Sequence, residues 1–216
     1  LLEGPRLNPL SGSKPEALVI LIHGYGSNGE DLISLAAMMQ PSLPYAVFVA
    51  PNAPSQLPHM AAAHQWWPIE TFSMAERAVG AAAAAPTLDA FISEELNKAG
   101  LTSDRMVLVG FSQGTMMALH VGLRRLEAVA GIVGISGMLV ASESLEADIR
   151  SRPPVLLIHG TQDDVVPFRS MELASSALAN AGVPVATHAS VGLDHSVGPD
   201  GLSAATQFAR LVLSHS

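Results

Sequence analysis

Residues 106–119 read M-V-L-V-G-F-S-Q-G-T-M-M-A-L, an apolar run that stops at a serine between two glycines and resumes as a helical pattern. With 22 serines and 18 glycines in the chain, chance alone places about 0.15 G-x-S-x-G matches, so the pattern needs its context. The context is that of a strand followed by a helix. Met106–Gly110 reads as a buried strand, and 113–126 reads as a helix with Met117, Leu119 and Leu123 on its buried side. A serine at that junction sits on a sharp turn at a helix N-terminus, where backbone N–H groups favour developing negative charge. Ser112 is therefore a candidate nucleophile.

Working outward, short apolar runs recur at 17–22 (A-L-V-I-L-I), 46–50 (A-V-F-V-A), 129–135 (V-A-G-I-V-G-I), 155–158 (V-L-L-I) and 184–188 (P-V-A-T-H). They are apolar on both faces, as strands of a covered parallel sheet are. Helical patterns lie between them at 30–40, 75–98, 113–126, 169–181 and 202–213. Alternation of this kind predicts an α/β fold, a mostly parallel central sheet with helices on both faces. No linker or repeat interrupts it, so residues 1–216 are expected to form a single domain. The Ala-rich block at 81–85 is read as helix propensity.

In such a sheet the site lies beyond the carboxyl ends of the strands. The segments found there are H-G-Y-G (23–26), F-S-Q-G (111–114), H-G-T-Q-D-D-V-V-P (159–167) and G-L-D-H-S (192–196). A serine hydroxyl needs a base, normally a histidine held by a carboxylate. After Ser112 the histidines are His120 inside a helix, His159 before the acidic loop, His188 inside a strand, His195 on a loop and His215 at the chain end. His195 alone follows the last strand on a glycine-containing loop, which makes it the candidate base. For the acid, Asp163 is preferred and Asp164 competes, since neighbours on a loop point in different directions; Asp194 adjoins the histidine it would have to orient. The N–H groups of Tyr25 and Gln113 occupy the positions of an oxyanion hole. The S-N-G-E-D that follows Gly26 begins a helix capped by Ser27 or Asn28. G-Y-G-S-N-G is not a phosphate loop, because it lacks the lysine and the spacing.

Composition excludes several classes. A net charge of −8 with only 11 Lys and Arg gives no basic patch for nucleic acid. The absence of cysteine removes disulfides, thiolate nucleophiles and Cys-built zinc sites, and it fits a cytoplasmic protein. The most apolar window, 128–141, is broken by three glycines and falls short of the ~20 residues of a membrane span. The start L-L-E-G-P-R-L-N-P-L has no basic stretch followed by an apolar one, so no signal peptide is read there, although a chain beginning without Met leaves export open.

Taken together, L-I-H-G-Y-G-S-N-G-E-D-L (21–32), A-P-N-A-P (50–54), Trp66, V-G-F-S-Q-G-T-M-M-A-L (109–119), I-H-G-T-Q-D-D-V-V-P (158–167) and G-L-D-H-S (192–196) resemble the carboxylesterase, lysophospholipase and acyl-protein thioesterase family of small α/β-hydrolases. The resemblance implies an α/β-hydrolase fold with little or no cap domain. It implies Ser112 as nucleophile, His195 as base, Tyr25 and Gln113 as oxyanion donors, and Asp163 rather than Asp164 as acid, because family members carry the acid four positions before the proline matching Pro167. The segment Q-W-W-P-I (65–69) looks like the bacterial carboxylesterase branch. Tyr25 departs from the short aliphatic residue usual after the first H-G, which alters the pocket mouth and leaves the backbone donor.

Trp66, Trp67, Phe72 and Leu139 are candidate pocket residues, with Met74 a weaker one, and the alternative for the tryptophans is packing beneath 57–72. The expected activity is hydrolysis of a small or lipid-like acyl ester through an acyl-enzyme. No metal or organic cofactor is required, and a homodimer is allowed. Lysophospholipid or acyl-protein thioester substrates are the alternative within enzymes, and a catalytically silent binding protein is the alternative of another class.

Overall fold

The computed structural model describes residues 2–214. In chain order the elements are β1 (Arg6–Leu7), β2 (Ala17–Ile22), α1 (Gly29–Met39), β3 (Ala46–Val49), β4 (Ser55–Leu57), β5 (Met60–Gln65), α2 (Met74–Ala99), β6 (Met106–Phe111), α3 (Gln113–Gly122), β7 (Gly131–Ile135), α4 (Leu145–Asp148), β8 (Val155–Gly160), α5 (Arg169–Asn180), β9 (Val185–Ser190) and α6 (Pro199–Ser214). The main sheet runs β1-β3-β2-β6-β7-β8-β9. All its neighbours are parallel except β1, which pairs antiparallel with β3 at one edge.

Strand alternation sorts the core into two layers. Leu18, Ile20 and Ile22 of β2 face a cluster supplied by α2, α3 and α5, whereas Ala17, Val19 and Leu21 face the cluster supplied by α1 and α6. Each of the Leu, Ile and Val side chains, fully buried, contributes roughly 1.5–3 kcal/mol. The Ala-rich block lies in α2, where Ala81 and Ala84 are buried. Small residues matter there because a Cβ on neighbouring Gly80 would lie 2.2 Å from the Trp67 ring. Asn28 caps α1, its side chain accepting from the Asp31 N–H at 3.0 Å. Among the described residues no helix is long and apolar enough to cross a membrane.

Two expectations need correction, and one element was not foreseen. The segment read as a sixth buried run forms β9, an edge strand whose residues are mostly exposed or half-buried. Helix α3 ends at Gly122, not at residue 126. The Leu123 carbonyl accepts the Arg150 and Ser151 N–H groups at 2.9 and 3.3 Å, which turns the chain away toward β7, and Arg124 and Arg125 leave the helix to pair with Asp148 and Asp89. The hairpin β4–β5, outside the main sheet, has no counterpart in the sequence reading. It is the only two-stranded sheet among the described residues.

Candidate active site

The turn after β6 decides the geometry. Ser112 has φ 55° and ψ −117°, a backbone region that costs a non-glycine residue of order 1–3 kcal/mol and persists only where its surroundings enforce it. They do so here through hydrogen bonds. The Ser112 N–H donates to the Ile135 carbonyl at 2.9 Å, and its own carbonyl accepts from Thr115 and Met116 at 3.0 and 3.3 Å. Thr115 Oγ1 lies 2.8 Å from the Gly110 and Ile135 carbonyls and accepts the Ile135 N–H at 2.9 Å. The glycines fit by close approach: a Cβ on Gly110 would meet the Gly114 carbonyl oxygen at 2.4 Å, and one on Gly114 would meet the Ile22 oxygen at 1.9 Å.

The loop after β9 brings His195 across to this turn. Its Nε2 lies 3.0 Å from Ser112 Oγ and its Nδ1 lies 2.8 Å from Asp163 Oδ2. Phe111 packs against the imidazole with ring centroids 5.0 Å apart. The loop is fastened to the end of β8: Gln162 N–H donates to the Leu193 carbonyl at 2.9 Å, and Gly192 N–H donates to Thr161 Oγ1 at 2.8 Å. Asp163 is buried, and its Oδ1 accepts the Val165 and Val166 N–H groups at 3.0 and 2.8 Å. Asp164 is exposed, and Asp194 turns to Ser196 instead of His195.

The remaining histidines lie elsewhere. His120 is buried in α3, where loss of solvent, reinforced by Arg124 and opposed by Asp148, pulls its pKa down to about 4. His188 pairs with Asp200 at 2.8 Å, and His215 lies outside the described residues.

The first H-G turn abuts the serine. A Cβ on Gly24 would lie 3.0 Å from the Ser112 Cβ. The hairpin anchors this turn, the Gly26 N–H donating to the His64 carbonyl and the His64 N–H to the Ser27 carbonyl, both at 2.8 Å. Among the described residues neither the Tyr25 nor the Gln113 N–H is taken up by a protein acceptor. Two unsatisfied donors beside a hydroxyl, next to a helix N-terminus, suit an oxyanion.

The pocket candidates separate. Trp66, Trp67 and Leu139 belong to the core cluster, each 5% exposed or less, while Phe72 is 65% exposed and Met74 is also exposed. The tryptophans serve as packing. Trp66 donates its N–H to Gln113 Oε1 at 2.8 Å and its indole N–H to the His23 carbonyl at 3.0 Å, and Gln113 Nε2 donates to the Trp67 carbonyl at 3.0 Å. The Gln113 side chain, a residue singled out in the sequence only for its backbone, thus ties the start of α3 to the Trp66–Trp67 backbone, and the Trp66 indole ties that segment to the first H-G turn.

His23 was also missed. It accepts the Ala53 N–H on Nε2 at 2.9 Å and donates from Nδ1 to the Gly24 carbonyl at 2.7 Å. Burial holds its pKa below the usual imidazole range. Its signal was the L-I-H-G shared by 21–24 and 157–160.

A family model described as Phospholipase/Carboxylesterase matches residues 10–213. The crystal structure of esterase PE8 is 45% identical, with a TM-score of 0.94, covering 98% of this chain and 99% of that one. Acyl-protein thioesterase 1 of Schizosaccharomyces pombe is 33% identical over 172 residues, 76% of each chain. Acyl-protein thioesterase 1 of Gibberella zeae is 28% identical over 226 residues, 95% of each chain.

Proposed function

The chain belongs to the phospholipase/carboxylesterase family, and from that premise we propose that it hydrolyses carboxylic esters through a Ser112–His195–Asp163 triad. The observation that carries the reading is the unbroken hydrogen-bonded line from hydroxyl to imidazole to buried carboxylate, 3.0 and 2.8 Å long. His195 Nε2 takes the Ser112 proton as Oγ attacks the carbonyl carbon, and Asp163 holds the proton on Nδ1 so that Nε2 is free to do so. The Tyr25 and Gln113 N–H groups receive the oxyanion, the alcohol leaves with the proton from His195, and water repeats the sequence on the acyl-enzyme.

Within this reading Trp66, Trp67 and Leu139 act from beneath the surface, by fixing the turns around Ser112. Tyr25 on the loop after β2 is exposed, and half-buried Phe111 packs on His195, which makes them the aromatic side chains beside the proposed site, with exposed Phe72 a further candidate. One α/β-hydrolase domain working in the cytoplasm on small esters completes the proposal. The likeness to an esterase at 45% identity supports ester over thioester. The acyl-protein thioesterases among the relatives support acyl thioesters as the second reading. A silent binding protein is disfavoured because the serine already meets its base.

The test is Ser112→Ala with p-nitrophenyl acetate, alongside fluorophosphonate labelling of the unmodified chain. The expected results are loss of most of kcat, with at most about 10³–10⁴-fold acceleration over water remaining, and labelling at Ser112. Full activity in the variant, or no labelling, overturns the proposal. A kcat/KM series over short esters, long esters and acyl thioesters then ranks the two substrate readings.

A further inference from the structure

His159 ends β8 and is buried, yet the proposed reaction gives it nothing to do. Its Nε2 lies 2.8 Å from the Val166 carbonyl and 3.2 Å from Asp163 Oδ2. Both neighbours accept hydrogen bonds and neither donates, so the proton resides on Nε2, donated to the Val166 carbonyl with Asp163 Oδ2 as a close contact beside it. The imidazole is held in that plane by Phe168, which meets it edge-on at 6.0 Å and 89°. Around the carboxylate, Oδ1 is occupied by two backbone N–H groups, and Oδ2 is hydrogen-bonded to His195 with the His159 Nε2 lying close by.

We propose that His159 is a positioning residue for the Asp163–His195 pair: its Nε2–H holds the Val166 carbonyl, whose residue in turn donates its N–H to Asp163 Oδ1, and the same Nε2–H lies beside Oδ2. The inference rests on the triad reading above and adds to it a residue that never meets substrate. Two consequences follow from the geometry. Without the donor, the turn from Asp163 to Val166 loses its tie to β8, so the carboxylate and imidazole lose their alignment with Ser112. A displacement near 1 Å at a reacting group costs on the order of 10²-fold in rate. The donor also draws charge from Oδ2. A carboxylate deprived of it holds the His195 proton more tightly, which moves the acid limb of the kcat/KM profile to higher pH.

The experiment compares His159→Leu, which fills space without donating, with His159→Gln, whose amide N–H₂ reaches the same acceptors. Steady-state kinetics of p-nitrophenyl acetate hydrolysis are measured against pH. His159→Leu is expected to lower kcat about 10- to 100-fold, to leave KM nearly unchanged, and to raise the acid limb by about half a pH unit. His159→Gln is expected to recover kcat to within about fivefold and to return the limb toward its original place. Equal kcat and equal limbs in the two variants, or native kinetics in His159→Leu, overturn the proposal in favour of simple packing.

A measurement on the unmodified protein does not depend on whether either variant folds. Nitrogen-15 NMR of labelled histidine should show His159 protonated on Nε2 and bare on Nδ1, and the opposite tautomer overturns the proposal. Failure of the triad reading is separately visible, because Ser112→Ala would then stay active whatever His159 does.

Discussion

Replacing Gly114 by alanine tests the placement of the nucleophile turn against the first strand. A Cβ there would lie 1.9 Å from the Ile22 carbonyl oxygen, 2.5 Å from its carbon and 2.7 Å from the His23 oxygen. All three are backbone atoms at the end of β2, so no side chain can swing aside. A carbon normally approaches a carbonyl oxygen no closer than about 3.3 Å, so the N-terminus of α3 must retreat from β2 by roughly 1.4 Å. Gln113 rides on the first residue of α3 and Tyr25 on the loop after β2, so the same retreat separates the two proposed oxyanion donors.

Loss of one such donor costs about 10²–10³ in kcat, and overpacking of this kind destabilises by about 1–3 kcal/mol or more. The expected variant folds with a lowered Tm and hydrolyses p-nitrophenyl acetate at least about 100-fold more slowly. KM should change far less than kcat, because the donors act on the transition state. Gly114→Ala with native kcat would refute the inference that this contact sets the site.

Two further predictions concern charged groups. Asp163→Asn should lower kcat by about 10³–10⁴, because an amide no longer fixes the His195 tautomer, whereas Asp164→Asn should stay within about threefold; steady-state rates on the same ester decide, and equal losses would remove the distinction. His120, with its pKa lowered to about 4 by burial, stays neutral in the folded chain while the unfolded chain takes up a proton near pH 6.5. Stability is therefore lost as pH falls from about 6.5 to about 4, by at most about 3 kcal/mol, with no contribution above that window. Urea midpoints of the parent and of His120→Gln should show the variant gaining on the parent across that interval, and a constant gap would show that His120 does not titrate in this way.

The strands legible in the sequence are those whose environment is uniform. β2, β6, β7 and β8 lie inside the sheet, apolar on both faces, and a local apolar run reports that burial directly. β9 was found by position, but its V-A-T-H-A-S is half polar because nothing pairs with its outer edge. The hairpin β4–β5 stayed hidden for a different reason. Residues 60–63, M-A-A-A, carry no alternation, and the hairpin is held from afar by the Gly26, Ser27 and His64 backbone and by Asn28 donating to the Ala62 carbonyl at 2.9 Å. Propensity cannot report a strand stabilised by a loop some 35 residues away in the chain.

The same distinction governs the site. Ser112 and His195 stood out because each bears chemistry that a strand-end loop has no other need for, whereas Asp163 was separated from Asp164 only by the family resemblance. His23 and His159 did not stand out, because an imidazole at a strand end looks like a polar residue awaiting solvent. Both are buried, and both use a ring nitrogen to hold a backbone group of another loop, the Ala53 N–H in one case and the Val166 carbonyl in the other. The acceptor or donor needed by each loop dictates opposite tautomers, Nδ1–H in His23 and Nε2–H in His159. The doubled L-I-H-G therefore records one structural device used twice at the rim of the sheet, once behind the proposed oxyanion turn and once behind the proposed acid. Its physical demand is a neutral side chain that can either donate or accept at a buried strand end, which a lysine, a donor only, could not meet in both places.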